Sequence, residues 1–262
     1  MIEDTEKLSQ KCLRLVTSEK ETASFLGGRP LVRSSINWPR KNNKPLGFIA
    51  QLDLGELNRE KVVDWLPDSG RLLFFYELDQ WPWGFDPYDR GGWAILYENG
   101  AQDLHHQELP NDLNDDQSAP SIKYLMSEIL VSYPHGQRVD FAEAGLSEDD
   151  DDDYFEFIEE HYGDKPRHQI GGYPSPIQDD NMEEECQLVS GGVDCGSPEG
   201  YTSQKAMHLL GQENDWRLIF QFDSDDDIGV MWGDLGMLYF WVREREARAC
   251  NFSNTWMILQ CS

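Results

Sequence analysis

Two apolar runs held apart by an acidic link restrict this chain more than any other stretch: Trp216-Arg-Leu-Ile-Phe-Gln-Phe-Asp223 and Gly236-Met-Leu-Tyr-Phe-Trp-Val242. Both are short and rich in aromatic residues, the pattern of strands. An earlier stretch carries the same signals. Gly27-Gly-Arg-Pro30 is matched by Gly171-Gly-Tyr-Pro174, and Ile49-Ala-Gln-Leu-Asp53 by Ile219-Phe-Gln-Phe-Asp223. Gly70-Arg-Leu-Leu-Phe74 is matched by Gly236-Met-Leu-Tyr-Phe240, and Trp93-Ala-Ile-Leu96 by Trp256-Met-Ile-Leu259. The matches come in one order, with similar gaps from Gln to Gly and from Gly to Trp. The later copy differs mainly by an insertion from Ser175 to Asn214. Neither set of apolar strands can hide its faces alone. The expectation is therefore a single α+β domain over residues 1–262. Its mostly antiparallel sheet is internally duplicated, with pseudo-twofold character and flanking helices. The halves fall at approximately 20–100 and 168–262, joined by an acidic helical insertion, 101–167.

Finer expectations follow from periodicity. Leu8, Cys12 and Leu15 share a helical face and predict an amphipathic helix over 3–16. Ile122, Leu125, Met126, Ile129 and Leu130 predict another over 121–133. Leu54 to Leu66 reads as a short helix stopped by Pro67. Arg71 to Leu78 is apolar on both faces and reads as a central strand covered on both sides. Ser147 and the acids at 148–153, placed before Tyr154-Phe-Glu-Phe-Ile158, suit the positive end of a helix dipole.

Charge narrows the choice of partner. The chain has 22 basic and 49 acidic residues, a formal net charge of -27, which repels phosphate backbones and argues against nucleic acid. The same field favours encounters with a basic protein or a cation. No window reaches the about 18 apolar residues of a membrane span, and the start, Met1-Ile-Glu-Asp-Thr-Glu, lacks the pattern of a signal peptide. Five scattered cysteines do not form a disulfide framework. A cytoplasmic protein without membrane attachment is expected.

Several motifs carry a resemblance. Gly27-Gly-Arg-Pro30, Trp38-Pro39 and Pro45 to Asp53 resemble the first half of the YwqG-like bacterial proteins, a domain of unknown function. The second half is similar over Gly171 to Gln178, Glu185 to Val189, Leu218 to Asp234 and Phe252 to Gln260, so the likeness spans roughly residues 20 to 261. It brings no catalytic residues. By their genomic company some members of that family resemble immunity proteins of bacterial toxin systems.

The residues themselves offer three candidate sites. Asp223, Asp225 and Asp227 alternate, with Asp234 further on, as oxygen ligands of a calcium loop do. The sixth position, Ile228, is not the Gly of an EF-hand, so the choice lies between a looser Ca2+ site and an acidic turn accepting backbone N–H groups. Gln51 with Asp53 and Gln221 with Asp223 place polar pairs on apolar strands, either to pin the Gly-Gly turns or to line a ligand or enzyme site between the halves. Trp81, Trp83 and Tyr88 lie in a loop without a counterpart in the second half, either as anchors for a partner or as a cap folded onto the core. The nucleophile elbow, phosphate-loop and zinc-protease motifs are missing. The sequence thus favours a binding protein with an acidic surface, directed at a basic partner, over an enzyme.

Overall fold

The computed structural model describes residues 6–100, 103–113, 122–139, 151–163 and 166–262. The acidic start, Asp149 and part of the Gly163 to Pro166 stretch lie outside them. A mostly antiparallel ten-stranded sheet dominates. In chain order its strands are β1 (Gln10–Thr17), β2 (Phe25–Leu26), β3 (Gly47–Asp53), β4 (Arg71–Tyr76), β5 (Trp93–Glu98), β6 (Lys123–Ser132), β7 (Gln169–Ile170), β8 (Trp216–Asp223), β9 (Met237–Arg243) and β10 (Trp256–Gln260). Across the sheet they run β10-β9-β8-β7-β1-β6-β2-β3-β4-β5. Leu31–Val32 pairs with His105–His106, and Arg40–Lys41 with Lys44–Pro45, outside the main sheet. The described α-helices are α1 (Leu54–Leu57), α2 (Asp151–Tyr162), α3 (Met182–Ser190), α4 (Pro198–Tyr201), α5 (Gln204–Leu209) and α6 (Glu244–Arg248). None is long and apolar enough to cross a membrane.

The sheet rolls into a nearly closed, barrel-like form, bringing its two arms face to face. The Phe74 ring of β4 stands 5.1 Å from Phe220 of β8 and also 5.1 Å from Phe240 of β9, tilted at each, the geometry that the aromatic quadrupole favours. Near the sheet's ends Trp93 and Trp256 pack with centroids 4.8 Å apart. Strand β4 is buried throughout because its faces enter different clusters. Leu72, Phe74 and Tyr76 join the large core, while Leu73 and Phe75 join Phe25, Phe48 and Trp38 behind it.

The arms β2-β3-β4-β5 and β7-β8-β9-β10 repeat one hydrogen-bond scheme. Gly27, Gly28, Gly171 and Gly172 have φ of 67°, 71°, 68° and 70°, a left-handed turn that favours glycine. Gln51 closes the first turn, accepting from Leu31 N–H at 2.8 Å and donating to Ala23 C=O at 2.7 Å. Gln221 closes the second, accepting from Ser175 N–H at 2.8 Å and donating to Arg167 C=O at 2.7 Å. The Asp53 N–H meets Ser24 Oγ where the Asp223 N–H meets His168 Nδ1. Register irregularities fall at Phe48/Ala50 and at Leu218/Phe220.

Three helical expectations are corrected. Residues 10–17 form strand β1, and 123–132 form strand β6, paired with each other from Gln10↔Ser132 to Thr17↔Leu125. Both occupy the middle of the sheet, where backbone groups need neighbours on two sides, and that demand overrides the helical spacing. The helix after Asp53 closes after Leu57 rather than running to Leu66. The stretch 101–167 is correspondingly only partly helical: α2 begins in the acid run as expected, but β6 precedes it.

Candidate functional site

Arg167 stands between two neighbouring cavities, one lined mainly by aromatic and apolar side chains and the other by carboxylates. Its position is fixed at both backbone atoms. The N–H donates to Asp223 Oδ2 at 2.7 Å, and the C=O accepts from Gln221. The guanidinium pairs with Glu159 Oε2 at 2.8 Å and lies 5.1 Å above the Tyr162 ring. Helix α2, which supplies Glu159 and Tyr162, is docked on the end of β6. Tyr154 Oη donates to Pro134 C=O at 2.7 Å, and His161 Nε2–H donates to Val131 C=O at 2.6 Å.

On one side of Arg167 a cavity of about 440 Å³ is lined by Tyr133, Tyr154, Phe155, Ile158 and Tyr162. On the other a cavity of about 530 Å³ is lined by Asp223, Asp225, Asp226 and Asp227. Glu159 and Arg167 belong to both. Phe155, Met231 and Leu235 line these cavities and are 57%, 43% and 62% exposed. Leu235 takes φ 51°, a conformation that costs a side-chain-bearing residue free energy and gains it no burial.

His168 organises the acidic loop from below. It is 3% exposed; its Nδ1 accepts the Asp223 N–H at 3.1 Å, so the proton sits on Nε2, 3.3 Å from Asp225 Oδ2. Both ring nitrogens are thereby engaged. Burial raises the Asp223 carboxyl, whereas the hydrogen bond from His168 lowers that of Asp225. Asp225 also accepts the Asp227 N–H at 2.9 Å and closes the loop against Val230. Asp227 and Asp234 are exposed, and among the described residues no three His, Cys, Asp or Glu side chains gather where a metal ion could be held. Of the calcium candidates, Asp223, Asp225 and Asp227 line one cavity, where Asp223 takes the Arg167 N–H and Asp225 takes the Asp227 N–H and the His168 imidazole.

The other sequence candidates are distributed. Gln51 and Asp53 make their bonds within the first arm, and Gln221 and Asp223 within the second; both glutamines are 0% exposed. Asp53 caps α1 through Glu56 N–H at 3.0 Å. The aromatic loop straps the first arm to the last strand. Trp83 C=O accepts the Leu259 N–H, Gly84 C=O accepts Trp256 Nε1–H at 2.7 Å, and Phe85 C=O accepts the Cys195 N–H at 2.8 Å. Trp81 packs on Trp232 with centroids 5.7 Å apart, leaving Trp83 partly and Tyr88 largely in solvent. Arg167 stands out in no sequence motif, and His168, which reads from sequence as a surface residue or a ligand, is buried. The available signal was positional: His168 stands three residues before its Gly-Gly turn, where Ser24 stands before the other.

Cys12 and Cys195 are free but buried, and burial pushes their thiols up to about 12. No curated protein matches this chain. A family model described as a domain of unknown function (DUF1963) matches residues 24–261, and the chain belongs to that family.

Proposed function

We propose that this is a cytoplasmic binding protein of the YwqG-like kind that docks a basic segment of another protein at the Arg167 cleft. The observation that carries the reading is the meeting, at Glu159 and Arg167, of an acidic cavity with an aromatic one, rimmed by Phe155, Met231 and Leu235. Carboxylates attract lysine and arginine side chains, tyrosine faces receive their cationic heads, and exposed apolar residues take the intervening aliphatic ones. The net charge of -27 would steer such a segment inward and repel nucleic acid. An immunity protein that blocks a basic toxin is the sharper form of this reading.

A synthetic peptide alternating Lys/Arg with Leu serves as the probe, by calorimetry. Binding is expected to weaken at least about tenfold between low and high salt, as screening shortens the reach of exposed charges. Asp226→Asn with Asp227→Asn should weaken it further, whereas Tyr88→Ala should not. Salt-independent binding, or equal binding by the Asn variant, would sink the proposal.

We also infer that the arms are copies of one duplicated unit within a single domain over residues 1–262. The matching glutamine bonds support this. Gln51→Ala and Gln221→Ala should therefore cost similar stability, about 1–3 kcal/mol each, because each leaves two at least partly buried backbone groups without that partner. Denaturant melts showing one substitution to be neutral would count against equivalent roles.

A further inference from the structure

The two arms make one matching hydrogen bond with different chemistry. Asp53 ends β3 and Asp223 ends β8. The Asp53 N–H donates to Ser24 Oγ at 2.9 Å, and the Asp223 N–H donates to His168 Nδ1 at 3.1 Å. A hydroxyl turns to offer a lone pair at any ordinary pH, whereas an imidazole nitrogen offers one only while it is unprotonated. The two aspartates also lead to different places. Asp53 caps α1 through the Glu56 N–H, while Asp223 opens the acidic loop and lines the cavity beside Arg167. The acceptor that a proton can abolish therefore stands in the arm that carries the cleft.

His168 has little freedom to exchange partners. Its C=O accepts the Leu15 N–H of β1 at 2.8 Å, the Phe222 ring stands edge-on at 5.3 Å, and the side chain is buried. Asp225 and Asp223 are the carboxylates that face the ring, one through Oδ2 at 3.3 Å from Nε2 and the other through its charge. The Arg167 guanidinium is turned to Glu159 and Tyr162, and Lys123 of β6 acts on Asp225. The bond from His168 holds the Asp225 carboxyl below the ordinary carboxylate range, so it stays ionised over the range of about pH 5 to 8 in which histidines change charge. When Nδ1 takes a proton from water, its N–H meets the Asp223 N–H, donor against donor, and that bond is lost. The bond from Nε2–H to Asp225 becomes charge-assisted and stronger.

We propose that His168 is a proton-operated latch on the acidic loop. The neutral ring pins the Asp223 backbone and leaves the Asp225 charge standing at the cavity. The protonated ring releases the Asp223 N–H and cancels that charge. For a basic segment at the Arg167 cleft the result is capture in mildly alkaline solution and release in mildly acidic solution. That consequence rests on the reading of the cleft proposed above, whereas the latch itself rests on the hydrogen bonds of His168 alone.

Nuclear magnetic resonance of the nitrogen-15-labelled full chain, taken from about pH 8 down to about pH 5, tests the latch. The Asp223 amide is expected to shift in one step that shares its midpoint with the ring nitrogens of His168. His168→Ser, which puts a hydroxyl where the first arm has Ser24, should lose that step, and any shift left in the variant belongs to the Asp223 carboxyl. The titration of the parent decides the matter even if the serine variant fails to fold. The alternating Lys/Arg and Leu peptide, by calorimetry, should bind the parent at least about tenfold more weakly at the acidic end than at the alkaline end, and the serine variant less than about threefold more weakly. An Asp223 amide that does not move with the His168 ring, or a ring that carries its proton on Nδ1 already at the alkaline end, would overturn the latch. Equal pH dependence of peptide binding in parent and variant would overturn its role at the cleft. No peptide binding at any pH would strike the reading of the cleft instead, with the amide titration still deciding for or against the latch.

Discussion

Replacing Gly84 with alanine is expected to lower stability by about 4 kcal/mol, close to 10 °C in Tm for a chain of this size. The glycine sits in the strap at φ 88°, where a side chain is disfavoured before any contact is counted. An added Cβ would also run into the carbonyl oxygen of Met257 on β10, and the neighbouring backbone cannot yield without breaking the strap. The bonds at risk are the Leu259 N–H to Trp83 C=O, and the Trp256 indole N–H to Gly84 C=O. Gly91, also at positive φ but with open space around it, is the control and should cost only about 1 kcal/mol when changed to alanine. Thermal melts of the two variants settle the matter. If Gly84→Ala loses no more than Gly91→Ala, the strap does not hold the arms together.

Glu185→Gln should make stability less dependent on pH. Glu185 lies on α3, 4% exposed, with Oε1 accepting from Tyr201 Oη at 3.0 Å and Oε2 without a partner. Burial pushes its carboxyl up to about 7; the Tyr201 hydrogen bond opposes the shift, and Asp179, Glu184 and Glu183 add to it. A folded value above the unfolded one means that the native state holds the proton more tightly. The contribution is therefore fully present below about pH 4.5 and is lost as pH rises to about 7, a fall of about 3 kcal/mol. Glutamine cannot ionise. Measured from pH 4 to 8, the stability difference between variant and parent should move steadily in favour of the variant, with the change complete just above neutrality. Parallel curves would mean that Glu185 is not protonated in the native state.

The sequence was most readable where one physical demand acted alone. Arg71 to Tyr76 is apolar at every position but the first, and only a strand covered on both faces accommodates that. The Gly-Gly turns were legible from composition, and pinning them was one of the two roles open to Gln51 and Gln221, since a glutamine among apolar neighbours needs hydrogen-bond partners. Strands β1 and β6 were not legible. Leu8 and Cys12, like Leu125 and Ile129, are four apart, a spacing that puts both on one face of a helix or of a strand, and the sheet partners that decide between them lie far away in the chain. The Arg167 cleft was hidden for a similar reason. Arg167, Glu159 and Asp223 meet only through tertiary contacts, and the arginine sits beside a turn whose sequence signal concerns glycine.

The crossing of the central strands has a consequence for synthesis. Strand β1 pairs with β6 and β7, while β6 also holds β2. The Gln10 carbonyl is bonded by Ser132, 122 residues later. At about 5–20 residues per second, a ribosome needs on the order of ten seconds to deliver that partner, and longer to deliver β7. Through that interval the nascent chain exposes Leu13 and Leu15 beside two unpaired edges, a surface suited to a holding chaperone. Once β6 emerges, the first arm, β6 and β1 have all their mutual partners, and only the far edge of β1 then waits for β7.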